Sequence, residues 1–152
     1  MEPRYKHPIS VLVVIYTYTP DLNVLLLERA DRPGWWQSVT GSQDGDETPQ
    51  QTAQREVAEE TGLDTRQFEL LDWHYHNTFD IFPHWRHRYA PGVTENTEHV
   101  FGLRVPTPLI PALSPSEHLS YQWLPVEQAA ERCFSPSNAA AIRRLLAHAS
   151  HA

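Results

Sequence analysis

Apolar and polar positions along the chain mark out strands, with one helix set among them and two more at the end. Ser10 to Tyr18 and Val24 to Arg29 are β-branched or aliphatic runs separated by the turn signal Pro20-Asp21-Leu22-Asn23, which predicts a hairpin. Trp36 to Thr40 predicts a third, short strand leading into a loop at Gly41. Leu70 to Thr78, His99 to Val105 and Tyr121 to Leu124 predict three more. Between the first two of these lies a long irregular connection, Phe79 to Asn96, of a length that is more often functional than idle. A helix is predicted from Pro49 to Glu60 or Thr61: Thr48 and Gln51 have the spacing of a capping box, Pro49 suits the first helical position, and Gly62 suits the residue after the last turn. Pro125 to Arg132 and Ser137 to Ala149 predict the two terminal helices, the second started by Ser135 and Pro136. This order of elements gives an α/β or α+β sandwich, and 152 residues are enough for one domain with a full core.

The predicted central helix changes the picture from fold to chemistry. At roughly 100° per residue, Glu59, Glu56 and Glu60 fall in order across an arc of about 100°, with Ala53 and Val57 as the buried edge beside them. Three carboxylates on such an arc line the rim of a cleft and raise one another's pKa unless a cation lies between them. Oxygen-only ligation suits a hard ion, so Mg2+ is the expected occupant and Mn2+ its substitute. The competing reading is a solvated acidic face on which Arg55 and Glu59 form an i, i+4 pair.

Composition narrows the partners. Nineteen acidic against twelve basic residues give a net charge of −7, which disfavours a nonspecific nucleic-acid or membrane binder; a small anionic ligand then needs local positive charge and metal. Cys133 is the single cysteine, so neither an intramolecular disulfide nor a cysteine-based zinc site is available, and its expected role is a small buried hydrophobe. Basic residues ahead of Ile9 to Ile15 imitate a signal peptide, but the run is short, β-branched and lacks a small-residue cleavage pattern; it reads as a strand of a cytoplasmic protein.

The run GSQDGDETPQQTAQREVAEETGL, Gly41 to Leu63, places Gly41, Glu47, Arg55, Glu56, Val57, Glu59, Glu60, Gly62 and Leu63 at fixed spacing and resembles the Nudix box at every defining position. The resemblance implies the Nudix α/β/α sandwich with a mixed central sheet, and hydrolysis of a nucleoside diphosphate linked to another moiety, or of a close analogue. A narrower likeness spans nearly the whole chain. IFPHWRHRYAPGVTENTEH (Ile81 to His99), Tyr5-Lys6 with the strand after it, WQSVTGS (Trp36 to Ser42), SEHLSYQWL (Ser116 to Leu124) and the Ser135 to Asn138 region resemble the bacterial dihydroneopterin triphosphate pyrophosphatases within that family. Pro83, Trp85 and the proline-rich stretch 106–111 depart from that pattern.

The likeness to that subfamily implies substrate contacts from Lys6, Arg29, Thr40, Phe79, Asp80, Ile81, Phe82 and Ser135, and a metal-binding Glu117 beside Glu56 and Glu60. Glu95, Glu98 and Asp80 remain alternatives to Glu117. On residue type alone, Arg29 at a strand end near the box is as well suited to phosphate as to a surface charge, and Phe79 and Phe82 serve either a pterin ring or the core. His84, Arg86, His87 and Arg88 offer phosphate-binding groups or a structural charge cluster; in an extended segment they would alternate faces, so all four would not reach one ligand. The expected activity is a Mg2+-dependent conversion of 7,8-dihydroneopterin triphosphate to the monophosphate and pyrophosphate, with Glu59 or another carboxylate orienting the water or taking its proton. A broader nucleoside triphosphate pyrophosphatase, or a silent Nudix-fold binding module, are the alternatives. The complete set of box carboxylates argues against the module.

Overall fold

The computed structural model describes residues 5–149. In chain order the elements are β1 (Ile9–Thr17), β2 (Asn23–Arg29), β3 (Trp36–Gln37), β4 (Val39–Ser42), α1 (Pro49–Thr61), β5 (Glu69–Asp80), β6 (Glu95–Arg104), β7 (His118–Pro125), α2 (Val126–Arg132) and α3 (Pro136–Ala149), with 3-10 turns at Thr65–Gln67 and Pro83–Arg88. The seven strands form one mixed sheet in which β1 runs parallel to β6 from Ile9↔Thr97 to Tyr16↔Arg104, while the other pairings are antiparallel.

Strand alternation divides the core into two layers. Val11, Val13 and Ile15 of β1 pack with Leu25, Leu27, Phe101 and Leu103 against Ala53 and Val57 of α1. Leu12, Val14 and Tyr16 pack with Val24, Leu26 and Val100 against Ala129, Ala130, Ile142 and Leu145 of α2 and α3. The central strands are apolar on both faces because both faces are covered, and each fully buried Val or Leu contributes about 1.5–3 kcal/mol. This is the expected α/β/α sandwich. Cys133 is half-buried against the α2–α3 layer, and burial pushes its thiol up to about 12, so it acts as a packing group.

The expected hairpin of β1 and β2 exists only at its tip, Tyr16↔Val24 and Thr17↔Asn23. Beyond it the strands splay, and the run read as a single third strand fills the gap as two. Trp36–Gln37 pairs with β2, whereas Val39–Ser42 pairs with β1. The switch falls at Ser38. Its N–H donates to Asn138 Oδ1 at 2.8 Å and its hydroxyl accepts from Asn138 Nδ2 at 2.9 Å, tying the wedge to the first turn of α3. The splay opens the sheet at the point where α1 approaches it.

The Phe79 to Asn96 connection is more ordered than its composition implies. β5 continues to Asp80, Pro83–Arg88 is a 3-10 turn, and β6 begins at Glu95, four residues before the expected His99. The early part of β6 alternates Asn96 and Glu98 on one face, so it carries no apolar signal; these buried side chains face a cleft and not the core.

Asn138→Ala leaves the buried Ser38 N–H and hydroxyl without their partner, a loss of about 2–4 kcal/mol. Chemical denaturation should show this as a lower midpoint at unchanged slope; a shift below about 0.5 kcal/mol would mean that the wedge is held by strand pairing alone.

Candidate active site

Helix α1 starts and stops as its sequence dictates. Thr48 Oγ1 accepts from the Gln51 N–H at 3.2 Å and Gln51 Oε1 accepts from the Thr48 N–H at 2.9 Å, completing the capping box. Gly62 ends the helix in the left-handed region, φ 74°, and its N–H donates to the Ala58 carbonyl. Gly41 has a different requirement: a Cβ there would overlap the Glu56 side chain, so only glycine lets β4 pass this close to the helix.

Arg55 fixes the loop between β4 and α1. It makes a two-pronged pair with Glu47, Nε to Oε2 at 2.8 Å and Nη2 to Oε1 at 3.0 Å, and donates to the Ser42 carbonyl, to Glu56 and to Glu59. Glu47 also accepts from the Asp44 N–H and the Thr52 hydroxyl. The Arg55 guanidinium holds the Glu47 carboxyl at about 2. Arg55 and Glu47 of the motif are thus a structural clamp, in which Arg55 Nη1 also holds Glu56 Oε1 at 2.7 Å while Glu60 faces inward unpaired with it.

The three arc carboxylates have different environments. Glu60 is 2% exposed; its oxygens lie against the Glu56 carboxyl and the Thr40 N–H without completing a well-formed hydrogen bond, and the nearest basic atom is Nε2 of His118, 3.5 Å away. Burial, reinforced by the Glu56 carboxylate, raises its pKa well above the usual carboxylate range. Glu56 is mostly buried and shifted the same way, again chiefly by burial. Glu59 is half exposed, paired with Arg55 at 3.2 Å, and does not line the cleft. The rim expected to carry three acids therefore presents two, because position 59 lies at the solvent edge of the arc.

A cleft of about 1200 Å³ joins the α1 carboxylates to the opposite sheet face. Eleven of the twelve expected site residues line it: Lys6, Arg29, Thr40, Glu56, Glu60, Phe79, Asp80, Ile81, Phe82, Glu117 and Ser135; Glu59 is the exception. Ile81 is buried, whereas Phe79 and Phe82 stay exposed and do not enter the core. Thr40 donates its hydroxyl to the Val11 carbonyl, and Ser135 Oγ lies 3.4 Å from the Asn138 N–H in the first turn of α3. Arg29 is held by Asp31, Nε to Oδ1 at 2.8 Å and Nη2 to Oδ2 at 2.7 Å, and lies 5.6 Å from the centre of the Trp85 ring. Desolvation and then the positive charge of Arg88 lower the pKa of Lys6, while Glu56 opposes the shift, so these charges share one field.

The basic cluster sorts by 3-10 geometry and not by strand alternation. Side chains three apart eclipse in a 3-10 helix. Phe82, Trp85 and Arg88 face the cleft together, while His84, Arg86 and His87 do not line it. Arg86 instead donates to the Ile81 carbonyl. Trp85, a departure from the subfamily pattern, is thus part of the wall. Sequence reasoning also missed His118, whose only signal was its place beside Glu117. It is 5% exposed, and its pKa is lowered to about 4 by burial and then by Arg29, so the imidazole is neutral at pH 7.

The donor set suits a divalent ion: carboxylates alone, one of them buried with two oxygens that nothing satisfies. Among the described residues, no three His, Cys, Asp or Glu side chains already converge to hold an ion. Glu56, Glu60 and Glu117 line the same cleft without being drawn to a common point. No helix among the described residues is long and apolar enough to cross a membrane.

A mixed sheet between helical layers, with a clamped acidic helix facing a deep cleft, defines the Nudix class of phosphoanhydride-site folds. The NUDIX domain model matches residues 6–145, and the chain belongs to that family. Dihydroneopterin triphosphate diphosphatase of Haemophilus influenzae is 47% identical over 146 residues, 94% of this chain and 90% of that protein. The enzyme of the same name from Escherichia coli K12 is 46% identical over 148 residues, 96% of this chain and 97% of its own. The solved structure of the E. coli dihydroneopterin triphosphate pyrophosphohydrolase superposes with a TM-score of 0.84 at 46% identity, covering 93% of this chain and 97% of that one. Nudix hydrolases generally use a divalent metal and act on small phosphorylated molecules.

Glu47→Gln tests the clamp. Because the folded-state pKa is depressed, its contribution is fully present above about pH 4.5 and is lost as pH falls towards about 2. The variant should lose about 1–3 kcal/mol at pH 7, and the gap to the parent in thermal melts should narrow below about pH 4. A gap that stays constant down to pH 3 would remove the charge from the account.

Proposed function

We propose that the chain is a pyrophosphohydrolase that converts 7,8-dihydroneopterin triphosphate to dihydroneopterin monophosphate and pyrophosphate, using Mg2+, with Mn2+ as a substitute. One observation supports this most strongly. The same cleft carries a buried, unsatisfied carboxylate on α1 and an exposed aromatic pair on the β5 side, so it matches a ligand with a phosphate chain at one end and a flat ring at the other.

Glu56, Glu60 and Glu117 would hold the ion. When bound, it supplies positive charge to the phosphate oxygens and lowers the pKa of a water molecule. The chain's own groups do the rest. Arg29, Lys6 and Arg88 oppose the triphosphate charge from across the cleft. Neutral His118 packs beside Glu60 and restricts where that carboxylate turns. Water adds between the first and second phosphates, leaving the monophosphate and pyrophosphate. Glu59, on the same arc but outside the cleft, takes the proton in this reading once its contact with Arg55 at 3.2 Å opens. Phe79, Phe82 and Trp85 supply flat apolar surface for the pterin.

Glu60→Gln keeps the shape and removes a charge, so turnover at saturating substrate should fall at least about a hundredfold while the fold persists. Glu59→Gln should lower kcat by a similar order with little change in KM. Parent-like rates in the Glu60 variant, or full activity of the parent under chelator, would sink the metal assignment; a parent-like Glu59 variant would move the proton acceptor elsewhere.

Substrate choice is checked with a panel. kcat/KM should be higher for dihydroneopterin triphosphate than for dATP, ATP or GTP, with pyrophosphate released in one step. Phe82→Ala should erode that preference more than it slows the poorer nucleotides, since it alters the ring wall and leaves α1 intact. Equal kcat/KM across the panel would leave a general nucleotide pyrophosphatase.

A further inference from the structure

One wall of the cleft has no part in the phosphate chemistry. Register places Ser10 of β1 and Asn77 of β5 on either side of Glu98 of β6, and Phe79 opposite Asn96. Alternation sets Ser10, Asn77, Phe79, Asn96 and Glu98 on the face whose continuation, Leu12, Val14 and Val100, packs under α3. At the first turn of α3 the apolar cover stops, and buried polar side chains stand where a core strand would carry Val or Leu.

Those side chains are incompletely satisfied. Asn96 is 3% exposed; its Nδ2 donates to Ser10 Oγ at 2.7 Å, but its buried Oδ1 has no partner. Glu98 is 6% exposed, and its carboxylate has only a long contact from the Ser137 hydroxyl at 3.4 Å and an approach from the Asn77 amide, whose buried Nδ2 completes no well-formed hydrogen bond. Burial pushes its pKa above the usual carboxylate range, an imbalance that added donors would correct. Both residues line the cleft, next to the exposed ring of Phe79. Among the described residues Glu98 belongs to no metal-ligating cluster with the α1 acids. Two buried acceptors beside a flat apolar surface are complementary to the donor edge of a planar heterocycle.

We propose that Glu98, supported by Asn96, is a specificity-determining residue that reads the ring N–H and exocyclic amino group of a 2-amino-4-oxopyrimidine edge. That edge is common to pterins and guanine. It presents two parallel donors to one carboxylate, the geometry that makes paired N–H···O bonds strong. Adenine and cytosine put a ring acceptor beside the amino group, opposite the carboxylate, and uracil offers one donor between two carbonyls. The inference rests on the proposed pterin substrate and identifies what selects it.

The test uses the full chain and its Glu98→Gln variant with dihydroneopterin triphosphate, GTP, ITP and ATP, as substrates or, where turnover is below detection, as competitive inhibitors, alongside thermal melts. ITP is the useful probe because it lacks only the 2-amino group of GTP. In the parent, GTP should be preferred to ITP about tenfold or more, and Glu98→Gln should bring that ratio towards one. The variant should lose about 30-fold or more in kcat/KM for the pterin and for GTP, mainly through KM, and at least tenfold less for ATP. A folded variant that loses all substrates by one factor, or keeps the parent's pterin-to-ATP ratio, overturns the role of Glu98. If the variant does not fold, the parent's own comparison decides: parity between GTP and ITP overturns the proposal, and a clear preference for GTP supports it. A parent that prefers ATP to the pterin would instead reject the substrate reading on which the proposal stands.

Discussion

Burial of Glu60 is the constraint on which the rest of the structure depends. A carboxylate with two unsatisfied oxygens costs several kcal/mol in a protein interior unless something compensates for it. The fold must therefore hold the helix that carries it in place by other means. Ala53 and Val57 fasten α1 to the sheet, the capping box and Gly62 set its two ends, and Arg55 ties its middle to Glu47 and to the Ser42 carbonyl. Gly41 lets β4 approach near enough for Glu56 to face the cleft beside Glu60. Motif positions that touch no ligand are accounted for in this way: they hold the charged positions against mutual repulsion.

The splayed sheet gives those carboxylates something to face. β1 and β2 part after two residue pairs, and the β3–β4 wedge keeps them apart while Asn138 anchors the wedge to α3. The gap joins the α1 side of the sheet to the face where Asn96, Glu98 and Phe79 stand. One cleft thus combines two chemistries. In the proposed reading, charge neutralisation lies at the helix and hydrogen-bond reading of a ring lies on the strands. The first is common to the family, whereas the second is where relatives acting on different phosphorylated molecules have room to differ.

Much of this was legible in the sequence because its signals are local. Capping residues, the 3.6-residue period of the acids and the aliphatic runs each report on a few neighbouring positions, so α1, the central strands and the terminal helices followed to within one or two residues. The onsets of β6 and β7 did not, coming at Glu95 and His118 ahead of the expected His99 and Tyr121, because Asn96, Glu98 and His118 line a cleft and give no apolar alternation. Likewise the 3-10 turn at Pro83–Arg88 follows a period of three, and that period selected Trp85 and Arg88 where an extended segment would have alternated.

By itself the sequence determined an α/β or α+β sandwich, the box and its carboxylates, which depend on spacing along the chain; the other site residues followed from the subfamily resemblance, and eleven of the twelve line one cleft. The helical arc already set Glu60 nearest the buried edge and Glu59 farthest from it, and tertiary structure decided how completely Glu60 is buried through what β4, His118 and Arg55 place beside the three acids. It also decided that Arg29 is held by Asp31 next to Trp85, and that Glu98 faces the cleft between Ser10 and Asn77. Desolvation and cross-strand partners such as Ser10 and Asn77 come from residues remote in the chain, and the pattern around any one position does not encode them.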